Sequence, residues 1–283
     1  MINPAWADFE VVDFYGMIVC QLAPSLDLLD NVYQAWWFDP LLATLSFAFF
    51  VNLYWYHERC LGLSSDSNFF GTVRADWGPL FSSLVAYWIG VSLWVLVVPP
   101  AAPFIPDGVP RDFSTAGYLF AEVTSGIVFY DFVFFFVHWS MHEIPLLRRW
   151  HCRHHDQSQG ESTLESRDTL RHSLMDGALQ VLVNILVQRR TPWGLVKSRL
   201  GRALHNFVVV WMLVESHTAT PTLYFWRRWC KGVREHRMHH EGARGRPQRY
   251  QQFFSYLDDA RNHKKANQYV LRGLHRPGKF EKQ

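Results

Sequence analysis

Positive charge is almost missing from the first half of this 283-residue chain. Residues 1–141 hold three basic side chains, Arg59, Arg74 and Arg111, against 13 acidic ones, a formal net of −10. Residues 142–283 hold 25 basic and 12 acidic side chains, a net of +13. The overall charge of +3 and the mean hydropathy of −0.08 are therefore averages over two unlike halves. Cysteine is scarce as well. Four residues without a C-x-x-C spacing exclude a disulfide-stapled secreted scaffold and a thioredoxin-like redox motif. No Gly-rich dinucleotide fingerprint is present, so neither flavin nor nicotinamide is expected to bind here. A basic segment leading into an apolar core is missing from the N-terminus, and no cleavable signal peptide is expected. The chain has no internal repeat and no low-complexity tract.

What the first half has instead is apolar length. Pro79–Val98 runs for 20 residues without a charge and ends at Pro99 and Pro100. At about 1.5 Å per residue, a helix of about 20 residues crosses a hydrocarbon core of about 30 Å. Two similar runs flank it. Spans are expected near 37–57, 77–98 and 117–137, inside an N-terminal membrane region 1–137. The 13 tryptophans, among them Trp36, Trp37 and Trp77 at the ends of these runs, suit the membrane interface. The first 40 residues carry six acidic side chains and no Lys or Arg, whereas everything after the third span is basic. The bias orients the N-terminus outside and the second half in the cytosol. A basic face beside anionic lipid accounts for the positive half, and no nucleic acid partner is expected. Two shorter apolar stretches form a hairpin near 174–215, with a basic linker between them that favours a dip into the membrane over two full crossings. Residues 261–283 read as a polar cytosolic tail.

Histidine is the second abundance, with 14 residues. Eight fall in three boxes: His138-x-x-x-His142, His151-x-x-His154-His155 and His236-x-x-His239-His240. Positions i, i+3 and i+4 share one helix face, so each box can aim two or three imidazoles at one point. Neutral imidazole is a good ligand for iron, zinc and copper. Eight ligands are too many for one tetrahedral zinc and suit two metal ions with open positions. Glu143 follows His142, but position 146 is Leu, so the metalloprotease pattern H-E-x-x-H is excluded.

From about Phe129 to Asp258 the chain resembles the fatty acid hydroxylase / sterol desaturase superfamily of integral-membrane di-iron enzymes. The short gap between the first two boxes carries the resemblance. So do the aspartate-aromatic approach Asp131-Phe-Val-Phe-Phe-Phe-Val-His138 and the lead Pro145-Leu-Leu-Arg-Arg-Trp-His151. Arg171-His172 resembles the family's Arg-x-His-Pro-like element, with Ser173 in place of proline. His217, 19 residues before His236, resembles the leading His of a further box, with Pro221 where some hydroxylases have its second His. Trp139 stands where many members have arginine, and the usual ending is echoed only by Tyr250-Gln251 and Leu257-Asp258.

The resemblance implies an all-α, polytopic membrane protein: a stalk of transmembrane helices under a cytosolic cap of His-bearing helices spanning 138–260. It implies two iron ions held by His138, His142, His151, His154, His155, His236, His239 and His240, with His217 and His172 as further ligands. It implies use of O2 on an unactivated C–H of a fatty-acyl, sterol or related membrane lipid. Electrons would come from an external donor, a b-type cytochrome with its NAD(P)H reductase or a ferredoxin. The location would be the endoplasmic reticulum in a eukaryote or the cytoplasmic membrane in a bacterium. A sterol desaturase or C-4 methyl oxidase would use the same site, and a non-enzymatic His-rich metal-binding protein is the reading from another class. Asp131, seven residues before His138, lies two turns earlier on the same helix face. It is expected to accept the second ring N–H of a metal-bound imidazole or to line the substrate cavity. Glu122 could line the same cavity or pair with an arginine. Cys152 is expected to be structural, and His57, His205, His263 and His275 to be surface or packing residues.

Overall fold

The computed structural model describes residues 37–63, 102–105, 108–155, 164–170, 172–218, 230–240 and 249–262, together with 81, 85, 87–90, 92, 93 and 96. Among these the ordered elements are helical, and the β pairing is confined to an isolated bridge between Arg190 and Val196. Two helices are long and apolar enough to cross a membrane, α1 (Phe38–Cys60) and α2 (Phe113–Glu143). They fall on the first and third expected spans. The middle expected span, 77–98, lies largely outside the described residues; those of it that are described are helical. The tail beyond residue 262, with His263 and His275, also lies outside them.

Local chemistry sets the helix ends. Asp112 starts α2 by accepting the Thr115 N–H at 2.8 Å, and its second oxygen takes the Thr115 hydroxyl at 2.7 Å. Ile144 leaves the helical conformation with ψ near 119°, because Pro145 disfavours a helical residue before it. Pro145 then opens α3 (Pro145–His155), where its missing N–H costs nothing. A short 3-10 turn (Ser166–Leu170) precedes α4 (Leu174–Arg189), capped by Ser173, and α5 (Arg199–Glu215), capped by Ser198. α6 (Lys231–His240) follows, and residues 256–262 form a last helical stretch.

Cross-contacts give the directions. Asp39 at the start of α1 pairs with Arg202 at the start of α5 at 3.2 Å. Farther along, Phe50 packs on Phe207 with ring centroids 5.0 Å apart, and Trp211 donates to the Tyr54 hydroxyl at 2.9 Å. Glu58 at the end of α1 receives the Ser166 N–H, the Ser166 hydroxyl and the Thr218 hydroxyl, the last at 2.6 Å. α1 therefore runs parallel to α5. α2 does too: Ser198 donates to Glu122, and His138 lies at the other end with His217 just past α5. α4 runs back between them, from Asp176 at the histidine end to Gln188 beside Tyr87. The largest apolar core joins α2, α4, α5 and α6 through Tyr130, Phe134, Val183, Val209, Val233 and Phe253. The C-termini of α1, α2 and α5 and the N-terminus of α4 thus meet at one end of the bundle.

Candidate metal centre

Nine imidazoles converge at that end, in two adjoining sets. One ring nitrogen from each of His138, His142, His151, His155 and His239 lies within 4.8 Å of the others, and so does one from each of His154, His217, His236 and His240. The boxes are divided between the sets. His151 and His155, four residues apart, serve the first, while His154 turns to the second; His239 serves the first while His236 and His240 serve the second. The sets touch where His155 stacks on His240, with centroids 4.4 Å apart.

The closest approaches are between Nε2 atoms. His138 to His142 is 3.2 Å, His142 to His239 is 3.1 Å and His151 to His155 is 3.0 Å. In the other set His154 to His217 is 3.1 Å and His236 to His240 is 3.0 Å. Several of these rings already spend their other nitrogen. His138 Nδ1 donates to the Tyr250 carbonyl at 2.8 Å, His217 Nδ1 to the Leu213 carbonyl at 2.8 Å, and His151 Nδ1 to Asp176 Oδ2 at 3.2 Å. A neutral ring that gives its Nδ1–H away has a lone pair on Nε2. Lone pairs gathered this closely repel unless a cation lies among them. Nitrogens about 2.1 Å from one metal ion and at right angles to each other are about 3.0 Å apart. The two sets fit metal ions.

The electrostatics favour the same use. Burial, with the neighbouring rings adding to it, holds the pKa values of His154, His155, His236, His239 and His240 well below the usual imidazole range. Burial lowers His217 to about 3, against the pull of the Leu213 carbonyl. These rings are neutral at pH 7, so metal binding displaces no protons from them.

The remaining expected site residues take other places. His172 stands outside both sets. Its Nδ1 is 3.3 Å from Asp176 Oδ2, and its ring stacks on His154 at 4.2 Å between centroids. Asp131 touches no imidazole. Its carboxylate accepts the backbone N–H groups of Gln252, Phe253 and Phe254 and the Gln251 side-chain amide, at 2.7 to 3.3 Å. It reaches the centre at one remove, by fixing the loop whose Tyr250 carbonyl orients His138. Asp258 holds the same loop by accepting the N–H groups of Tyr250 and Gln251. Glu122 sits near the far end of the hairpin on Ser198, and not beside the histidines. His57 and Cys152 are exposed, and His205 is fully buried on α5.

A carboxylate that does contact imidazoles is Asp176, which sequence reasoning missed. It lies 25 residues from His151, and no local spacing links the two. The available signal was Ser173-x-x-Asp176, a helix start immediately after His172. Glu58, just past the first expected span, braces Thr218 beside His217.

Residues 123–262 match the family model described as fatty acid hydroxylase. The chain carries a fatty acid hydroxylase domain. That domain contains all three histidine boxes, His172, His217 and both carboxylates, Asp131 and Asp176. An oxidoreductase acting in lipid chemistry follows from the family, and the histidine sets are compatible with metal binding. No curated protein and no solved structure matches the chain.

Proposed function

We propose that this fatty acid hydroxylase domain belongs to a membrane-bound di-iron hydroxylase of a membrane lipid, with His138, His142, His151, His155 and His239 holding one iron and His154, His217, His236 and His240 the other. The observation that carries the reading is the pair of adjoining sets of converging imidazoles within a fatty acid hydroxylase domain. Bound there, two irons supply activation of O2 and removal of hydrogen from an unactivated C–H.

The chain's own part is orientation and exclusion of water. The Tyr250 and Leu213 carbonyls and Asp176 fix the rings of His138, His217 and His151 with Nε2 facing inward. A carboxylate on Nδ1 also raises the basicity of the bound ring. Tyr250 is fully buried and packs on His138, His142 and His239, closing the first set from one side. Without a flavin or nicotinamide motif in the chain, the two electrons per turnover come from a separate carrier, a b-type cytochrome system or a ferredoxin.

Three crossings are supported by the parallel run of α1 and α2, which requires a return between them. The N-terminus is then outside and the histidine end cytosolic, in the endoplasmic reticulum of a eukaryote or the cytoplasmic membrane of a bacterium. α4 and α5 form the re-entrant hairpin. At 16 and 17 residues they are about 25 Å long, short of the hydrocarbon core. Their linker reaches only to Glu122, nine residues or about 14 Å inside the start of α2.

Metal analysis of the purified full-length chain, made under iron-replete conditions, should give close to two irons per chain. One zinc and no iron would refute the oxygenase reading. Comparative lipid analysis of cells with and without the gene should show a hydroxylated species, and His154→Ala should abolish it while membrane insertion survives. A desaturated or demethylated product would instead support the sterol desaturase or methyl oxidase alternative.

A further inference from the structure

Glu58 stands on the last turn of α1, outside the matched domain of residues 123–262, and it is fully buried. A buried carboxylate is costly unless its oxygens are hydrogen-bonded, so what it holds is informative. It accepts the Ser166 N–H at 3.0 Å, the Ser166 hydroxyl at 2.8 Å and the Thr218 hydroxyl at 2.6 Å. Thr218 follows His217 directly. Ser166 opens the 3-10 turn that leads to His172, whose ring stacks on His154. Both segments bear on the second histidine set. In the first set other groups orient the rings: Asp176 turns His151, and the Tyr250 carbonyl turns His138.

His217 needs an outside hold because it lies two residues past the end of α5. Its own N–H still reaches the Val214 carbonyl at 3.0 Å, but the next link, from the Thr218 N–H to the Glu215 carbonyl, has lengthened to 3.4 Å. The helical ladder runs out at the residue that carries the ligand. The Leu213 carbonyl sets the rotation of the ring. It does not set the place of the backbone from which the ring hangs, and metal–nitrogen distances tolerate only about 0.2 Å of error. The tie from Thr218 to Glu58 fixes that backbone against α1, a separate helix that packs along α5 through Phe50, Val51, Val210 and Val214.

We propose that Glu58 is a positioning residue for the second metal ion, acting on His217 through Thr218. The first apolar helix is then part of the metal centre and not only its membrane anchor. Iron as the metal rests on the hydroxylase reading; the positioning role needs only that both histidine sets hold a metal ion.

The test is iron retained per full-length chain in detergent after dialysis against graded chelator. Glu58→Ala should release one iron at about tenfold lower chelator, the low end of what loss of an outer partner of a metal-bound histidine costs, and keep the other at the wild-type midpoint. The curve then has a step near one iron per chain. Thr218→Val removes the hydroxyl with little change of shape and should give the same step. Thr218→Ser, which keeps the hydroxyl, should restore the wild-type curve. This pair serves where Glu58→Ala fails to fold. Added to His217→Ala, Glu58→Ala should shift the curve far less than it shifts the wild type, since the ring through which it acts is gone. A carboxylate that only stabilises the fold would lower the melting temperature and move both irons together. That result, a Thr218→Val curve coincident with wild type, or an equal shift in the His217→Ala background would overturn the proposal. A wild type that holds two metal ions other than iron would overturn the hydroxylase reading, and the same curves read with that metal decide the role of Glu58. Fewer than two metal ions in the wild type would overturn both.

Discussion

Replacing Asp176 with Ala isolates a carboxylate that contacts the imidazoles of His151 and His172. Its Oδ2 takes the Nδ1 atoms of His151 at 3.2 Å and His172 at 3.3 Å, and its Oδ1 takes the Gln180 amide at 3.1 Å. Ala leaves all three donors without their acceptor. His151 also loses the group that turns its Nε2 toward the first set. Loss of such a partner weakens metal binding by about 10- to 100-fold, or roughly 1.4 to 2.7 kcal/mol. The assay is iron retained per chain after dialysis against a graded series of chelator concentrations. Wild type and Asp176→Ala should part by one to two decades of chelator, and Asp176→Asn, which keeps one acceptor oxygen, should fall between. His172→Ala is the control, because that ring shares the carboxylate but lies outside both sets. It should shift the curve far less than His151→Ala. An unshifted curve for Asp176→Ala, or an equal loss in His172→Ala and His151→Ala, would refute the division of roles.

Other perturbations separate assembly of the site from its chemistry. Asp131→Ala leaves three backbone N–H groups and the Gln251 amide buried without their acceptor, at about 1–3 kcal/mol each. Its melting temperature should drop even in the metal-free chain, whereas that of Asp176→Ala should depend mainly on metal. At Gly232, on the first turn of α6, a Cβ would overlap the backbone of Phe254, which cannot yield as a side chain can. Gly232→Ala should cost about 1–3 kcal/mol or more and displace the third box, which thermal melting and iron content would both register. Acid should destabilise the metal-free protein. His154, His236 and His240 have folded pKa values far below 6.5, so as pH falls through 6.5 the unfolded chain takes up protons that the fold refuses. Each ring contributes up to about 1.4 kcal/mol per pH unit. Melting curves at pH 7.5 and 5.5 check this, and coincident curves would contradict the buried neutral rings.

Spacing along one helix was enough to read the box histidines, because i, i+4 neighbours are fixed by helix geometry alone. His138 and His142 needed nothing more. The split of His151 and His155 from His154 needed a second body to face, and that body is α6, about 80 residues away. The same limit explains the misreading of Asp131. Seven residues do place it on the face of His138, but the backbone of 252–254 is closer than the ring and takes the carboxylate first. Asp176 was hidden for the opposite reason, since its partners come from another helix. Two apolar helices were legible from hydropathy, although α2 (Phe113–Glu143) runs past the expected 117–137 at both ends. The parallel run of α1 and α5 was not, because it depends on pairings such as Asp39–Arg202 and Glu58–Thr218 that join the beginning of the chain to its second half.

The basic linker of the hairpin made its placement awkward from sequence, and the packing gives two of its cations, Lys197 and Arg202, acidic neighbours. An uncompensated cation in hydrocarbon is costly, and ionisable groups there face the interior and pair. Arg202 turns inward onto Asp39 and also donates to the Lys197 carbonyl. Lys197 is fully buried, near Glu122, which in turn receives the Ser198 hydroxyl that caps α5. The acids that meet these cations come from α1 and α2, the acidic half of the chain. The −10 and +13 of the two halves are thus partly neutralised in contact with each other, and a hairpin rich in arginine can sit against apolar spans. Gly126 on α2 leaves the room in which Lys197 and His205 lie, and a Cβ there would overlap the ammonium group. Gly126→Ala should therefore force the lysine off its site. Since His217 lies two residues past the end of α5 and α4 begins beside His172, a displaced hairpin carries part of the second histidine set with it.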